Sequence, residues 1–87
     1  MKAIWKFSLK LSDGAQEVSM PAHAALVHFA MQDDVPCFWA QVDPSAPKEP
    51  RVFSVHGTGH PVPEDRAYRG TCEHGQFVWH LFESVFP

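Results

Sequence analysis

The residues of this chain best suited to chemistry stand together from His56 to Glu64, in the run His-Gly-Thr-Gly-His-Pro-Val-Pro-Glu. Gly57 and Gly59 flank Thr58, so the backbone can take positive φ and approach a bound group closely. Pro61 and Pro63 stiffen the exit and remove backbone donors. Peptide N–H groups, the Thr58 hydroxyl and the imidazoles of His56 and His60 would then converge on one small volume, which suits an anion or a sugar hydroxyl. The run is not a phosphate loop of the established kind, because no Gly-Lys-Ser/Thr follows and no helix opens after it.

Three residues outside the run have chemistry that would complement it. Arg51 and Arg69 fall in strand-like stretches on either side of it, and guanidinium forks match phosphate or carboxylate; salt bridges to Glu49, Glu64 or Asp65 are the competing use. Trp39 precedes a flexible connection, and its flat indole could stack on a base, although core packing is the default for Trp5, Trp39 and Trp79 alike. Lys2, Lys6 and Lys10 share one face of the first strand, more simply as a solvated edge than as a phosphate contact. No metal is expected: His56 and His60 have helical ligand spacing that Gly-Thr-Gly forbids, and Cys72 with His74 would need ligands from elsewhere. No enzyme is expected either. Cys37 or Cys72 with a histidine, or Glu64 with Asp65, can be paired on paper, but nothing positions a base, an orienting group and an oxyanion hole together.

The elements that must carry these residues read as strands. Residues 3–11 alternate, with Trp5, Phe7, Leu9 and Leu11 opposite Lys2, Lys6, Ser8 and Lys10. Asp13-Gly14 predicts a tight hairpin to a short strand over 16–20. Residues 22–31 fit a strand or a helix by periodicity; Leu26-Val27-His28-Phe29 and the Asp33-Asp34 turn favour a strand pairing with 37–42. Residues 43–50, with three prolines, predict an exposed connection. A strand over 51–56 leads into the glycine run, and 67–73 with 76–82 predicts a hairpin about His74-Gly75. The last strand is apolar on both faces and should be central. The expected fold is one all-β domain over 1–87, a small antiparallel sandwich or half-open barrel of six or seven strands.

A chain of 87 residues buries only about 60–65% of its unfolded surface, so its core is thin. Two cysteines and no apolar leader argue for free thiols in a cytosolic chain rather than a disulfide framework. Seven Phe, three Trp and one Tyr exceed what one thin core needs, which predicts a homo-oligomer or a ligand surface. The net charge of −3 argues against DNA or RNA as partner, and no apolar run is long enough to span a membrane.

The opening Met1-Lys2-Ala3-Ile4-Trp5-Lys6-Phe7, the middle Val35-Pro36-Cys37-Phe38-Trp39-Ala40-Gln41-Val42-Asp43-Pro44, the loop Gly57-Thr58-Gly59-His60-Pro61-Val62-Pro63 and the ending Phe77-Val78-Trp79-His80-Leu81-Phe82-Glu83 resemble, in matching order, a widespread family of small phage and prophage proteins. It is a domain of unknown function. At Pro21-Ala22-His23-Ala24 that family more often has a glycine, so the turn there is expected to differ. The resemblance implies viral origin and expression in a bacterial host's cytoplasm, and it supplies no catalytic residue, cofactor or ligand. Small phage proteins without a catalytic set often disarm host defence. The expected function is therefore sequestration, without turnover, of a small phosphorylated nucleotide-like signal near His56, Gly57, Thr58, Gly59 and His60, with Trp39, Arg51 and Arg69 contributing between subunits. Capping a host defence protein, or serving as a minor virion or assembly component, are the alternatives.

Overall fold

A computed structural model describes residues 1–12 and 14–85. Among them are seven strands and no helix: β1 (Ala3–Ser8), β2 (Gln16–Pro21), β3 (Ala25–Gln32), β4 (Val35–Val42), β5 (Lys48–Gly57), β6 (Arg66–His74) and β7 (Phe77–Ser84). They form two open antiparallel sheets, β1-β4-β3 and β2-β5-β7-β6. The molecule is only 16 Å across its thinnest dimension, the depth of two sheets stacked about 10 Å apart.

Alternation decides which side chains meet between the sheets. From β1 come Trp5 and Phe7, from β4 Phe38, Ala40 and Val42, from β5 Phe53 and Val55, from β7 Leu81. Phe38 is fully buried, stacked on Phe7 at 5.2 Å within its own sheet and 4.6 Å from Phe53 in the other. Each such buried ring contributes about 2–3 kcal/mol by removal from water. β7 lies between β5 and β6, as its two apolar faces require.

The hairpin between β1 and β2 is not formed. β1 pairs with β4 and β2 with β5, in different sheets; Asp13 itself lies outside the described residues. Both strands have inward apolar faces that fill the same core from opposite sides, and the linker 9–15 carries the chain across. Leu9 is buried in that crossing, and the Gln16 carboxamide grips Lys10, accepting from its N–H at 2.6 Å and donating to its carbonyl at 2.5 Å. Residues 22–31 do supply a strand, β3, joined to β4 through Asp33 and Asp34. Both aspartates have positive φ (52° and 65°), the geometry of a two-residue type I′ turn. The connection after β4 is shorter than expected, 43–47, because Lys48, Glu49 and Pro50 already pair with β2. Pro50 is tolerated there because β7 does not reach it: the β5–β7 ladder begins at Phe53.

Two register shifts shape the closed side of the sandwich, one between Leu26 and His28 in β3, the other between Tyr68 and Gly70 in β6. Each bulge inserts a residue and resets the alternation beyond it. Phe29 is thereby turned inward, and Gly70 faces it; a Cβ on Gly70 would sit 3.0 Å from the Phe29 Cβ. That close approach lets the β3 and β6 edges meet. The Cys72 thiol beside Met31 has its pKa pushed up by burial, and Cys37 and Cys72 are both free.

Candidate ligand-binding site

β5 and β6 both flank β7 and run parallel to each other. The chain must therefore return from Gly57, level with Trp79, to Arg66, level with Ser84. Sheet β1-β4-β3 fills the inner side, so beyond His60, which lies against the inward-facing Gly57 and Trp79, the chain crosses the outer face of the other sheet as a strap. The ladder spacing makes that diagonal roughly 20 Å, and nine Cα steps can reach about 30 Å; the slack admits a turn at the start, while Pro61 and Pro63 favour extended backbone beyond it without leaving N–H groups to satisfy. Beneath the strap Ser54 is 5% exposed. His56 anchors it: Nε2 bonds Ser54 Oγ at 2.8 Å, the ring stands edge-on to Phe82, and the Pro61 carbonyl accepts a hydrogen bond from the imidazole. Burial, helped by the Arg66 charge, pushes the His56 pKa down, against that hydrogen bond.

The strap opens with a tight turn. The His60 N–H donates to the Gly57 carbonyl at 3.0 Å and Gly59 has φ +90°, a type II turn with glycine at its positive-φ position. Thr58 N–H donates to the Val78 carbonyl. The backbone donors of Thr58 and His60 are thus already engaged, and the turn is not an N–H cradle. Its side chains face a cleft instead. His60 folds back over Gly57, where a Cβ would meet the imidazole Cε1 at 3.0 Å and the Trp79 ring at 3.2 Å, so glycine is required for the imidazole to lie there. A cleft of about 490 Å³ is bounded by Gly57, Thr58, His60, Gln76, Phe77 and Trp79. Phe77, 54% exposed, and Trp79 form a tilted pair 6.0 Å apart along one wall. A second cleft, of about 380 Å³, lies between His60, Pro61, Pro63 and His56.

The strap's other neighbour is a chain of hydroxyls and imidazole on the outer face. The Tyr68 hydroxyl is 2.6 Å from Thr71 Oγ1, which is 3.0 Å from His80 Nδ1; His80 Nε2 is 2.9 Å from Thr58 Oγ1. Tyr68 and Thr71 share a face three residues apart only because of the β6 bulge. None of Tyr68, Thr71 and His80 stands out in the sequence as a site residue. The pairing of Thr71 with His80 follows once the hairpin register is fixed at His74 and Phe77, but the bulge has no comparable signature.

His56, Gly57, Thr58, Gly59 and His60 thus remain together. The other three residues lie elsewhere. Arg51 on β5 and Arg69 on β6 lie toward the far end of the sheet, both on Glu83 of β7: Arg51 Nε and Nη2 reach its two oxygens at 2.6 and 2.8 Å, and Arg69 Nε donates at 2.9 Å. Arg51 Nη1 also donates to the Ala24 carbonyl at 2.6 Å. Burial pushes the Glu83 pKa up, but the hydrogen bonds and charges of the two arginines outweigh it and hold the carboxyl below its ordinary range; Glu83 in turn raises Arg51. Neither Glu49, Glu64 nor Asp65 is the partner: Asp65 pairs with Arg66. Trp39 points outward from the opposite sheet, beside His28 at 5.7 Å. Among the described residues no group of three or more His, Cys, Asp or Glu is placed to hold a metal ion, and no helix is long and apolar enough to cross a membrane.

Fold and cleft together define a seven-stranded antiparallel β-sandwich with an aromatic-walled cleft at one end. Over residues 1–86 the chain matches the model of a domain of unknown function, DUF7352, and it belongs to that family. No curated protein and no solved structure matched it.

Proposed function

We propose that this protein is a phage-encoded anti-defence protein, acting in the bacterial host's cytoplasm, that sequesters a nucleotide-derived signalling molecule without turning it over. The observation that carries the reading is the cleft in which Phe77 and Trp79 face the Gly57–His60 turn. A planar ring would lie against the two aromatics, a contact worth about 1–3 kcal/mol per base. Thr58, Gln76 and His60 supply hydroxyl, amide and imidazole groups for its edge. His60 suits this role because Gly57 and Trp79 fix its position and it makes no side-chain hydrogen bond among the described residues. With Arg51 and Arg69 held by Glu83, the grip is on the ring, and phosphates would project toward solvent. In a homo-oligomer the subunits would meet along β1 and β2, edge strands of their sheets, since the other two edges, β3 and β6, pack against each other.

The test is mass spectrometry of small molecules released by heating protein purified from defence-activated bacteria. A nucleotide-like compound should accompany the wild type and be lost from a Thr58→Val, His60→Ala double variant. Its absence from the wild type would remove the reading.

A further inference from the structure

The chain of hydroxyls and imidazole on the outer face of sheet β2-β5-β7-β6 ends at the cleft, and counting its protons gives it a direction. In order it runs Tyr68 Oη, Thr71 Oγ1, His80 Nδ1 and Nε2, Thr58 Oγ1, with contacts of 2.6, 3.0 and 2.9 Å. A neutral imidazole has one N–H, so one of the two threonines must donate to His80 and the other accept from it. Two arrangements satisfy all three contacts. With the proton on Nε2, His80 donates to Thr58, Thr71 donates to Nδ1 and the Tyr68 phenol donates to Thr71. With the proton on Nδ1 every bond reverses: Thr58 donates to Nε2, and Tyr68 accepts from Thr71.

Tyr68 decides between them. A phenol is a stronger donor and a weaker acceptor than an alkyl hydroxyl, because its oxygen lone pair is shared with the ring. Its contact with Thr71 is the shortest of the three, and the first arrangement uses it as the donor. Thr58 therefore accepts from His80, and its own proton needs another acceptor. The Val78 carbonyl is a poor one: it lies 3.5 Å from Thr58 Oγ1, long for an O–H···O bond, and it already accepts from the Thr58 N–H. Thr58 and Val78 both line the aromatic cleft.

We infer that His80 is a positioning residue: it holds the Thr58 hydroxyl as a hydrogen-bond donor to the cleft, so that the molecule bound there meets Thr58 with an acceptor, a carbonyl oxygen or an unprotonated ring nitrogen. The statement about the occupant rests on the sequestration reading; the direction of the chain does not. Tyr68, Thr71 and His80 are not among the residues that bound the cleft, so their substitution reaches it through Thr58.

The first test needs no ligand. Long-range proton–nitrogen correlation NMR of the labelled chain, at about pH 8.5 where histidine is ordinarily neutral, should find the His80 proton on Nε2. Tyr68→Phe, which keeps the ring against Phe82 and removes only the hydroxyl, should raise the Nδ1–H population, and Thr71→Val should raise it further. Nδ1–H in the wild type, or a tautomer that neither substitution moves, would overturn the assignment. For the occupant, the compound retained by protein purified from defence-activated bacteria is measured per chain by mass spectrometry. It should fall roughly two- to tenfold in Tyr68→Phe, the equivalent of one hydrogen bond, fall at least as far in Thr58→Val, and be kept in Thr58→Ser. Equal retention by Tyr68→Phe and the wild type, or equal loss in Thr58→Ser and Thr58→Val, would remove the role of His80 at the cleft. A wild type that retains nothing removes the sequestration reading instead, and the tautomer then decides the direction of the chain on its own.

Discussion

A buried carboxylate gripped by two guanidiniums is stable only while its partners remain, because removing one member leaves a charge without compensation. Glu83, 6% exposed and in contact with Arg51 and Arg69, is such a group. Glu83→Gln should lose about 3 kcal/mol in urea unfolding, and Arg69→Gln, from a more exposed position, should lose less. The pH dependence has a definite sign. The folded-state pKa values of Glu83 and His56 are both depressed, so their stabilisation is present above the unfolded values and is lost as pH falls through the folded ones. The His56 contribution should fade first, from about pH 6.5 downward, and the Glu83 contribution below about pH 4.3. His56→Gln should flatten the first step and leave the second; a wild-type urea midpoint that does not fall between these two values would contradict the assignment. At Gly70, a methyl would press on the Phe29 Cβ, and Gly70→Ala should cost about 1–3 kcal/mol by overpacking.

At the scale of elements, the strands were legible because alternation is a local signal and most of these strands bury one face. What alternation cannot supply is the partner. Asp13-Gly14 signals a reversal equally well for a hairpin and for a change of sheet, and the longer linker 9–15 makes the second possible. Bulges are similarly hidden: Val27 and Arg69 look like ordinary strand residues, yet each inverts the parity of the residues after it. Phe29 is buried and Thr71 faces outward for that reason. The two arginines resemble ligand groups in the bare sequence because their common partner, Glu83, lies far along the chain and is reached only after β7 is paired. The Asp33-Asp34 turn was legible and is improvable. Asn suits its first position better than Asp, so Asp33→Asn should raise the melting temperature, by roughly 0.5 kcal/mol of added stability, while leaving the 3.0 Å contact of Asp34 with His74 in place. An unchanged or lower melting temperature would mean the turn is not the strained position its φ values indicate.

Taken whole, the molecule is a thin sandwich joined along its β3 and β6 edges and open along β1 and β2. The β3 and β6 tips are tied by Asp34 and His74, and on the opposite side Lys48 of β5 reaches over the Trp5 ring of β1. The glycine run, the most conspicuous feature of the sequence, proves to be the start of a strap laid over a finished sheet. Its irregular composition reflects two demands at once: a tight turn at Gly57–His60 and an extended diagonal without ladder partners at Pro61 to Pro63.

That strap has a practical corollary. A break between Val62 and Pro63 would interrupt no strand pairing, and it would divide the chain into a five-stranded piece and a hairpin whose β7 edge still matches β5. The two pieces should recombine when mixed, restoring the native tryptophan emission of Trp79, so that this small domain would serve as a two-part complementation tag.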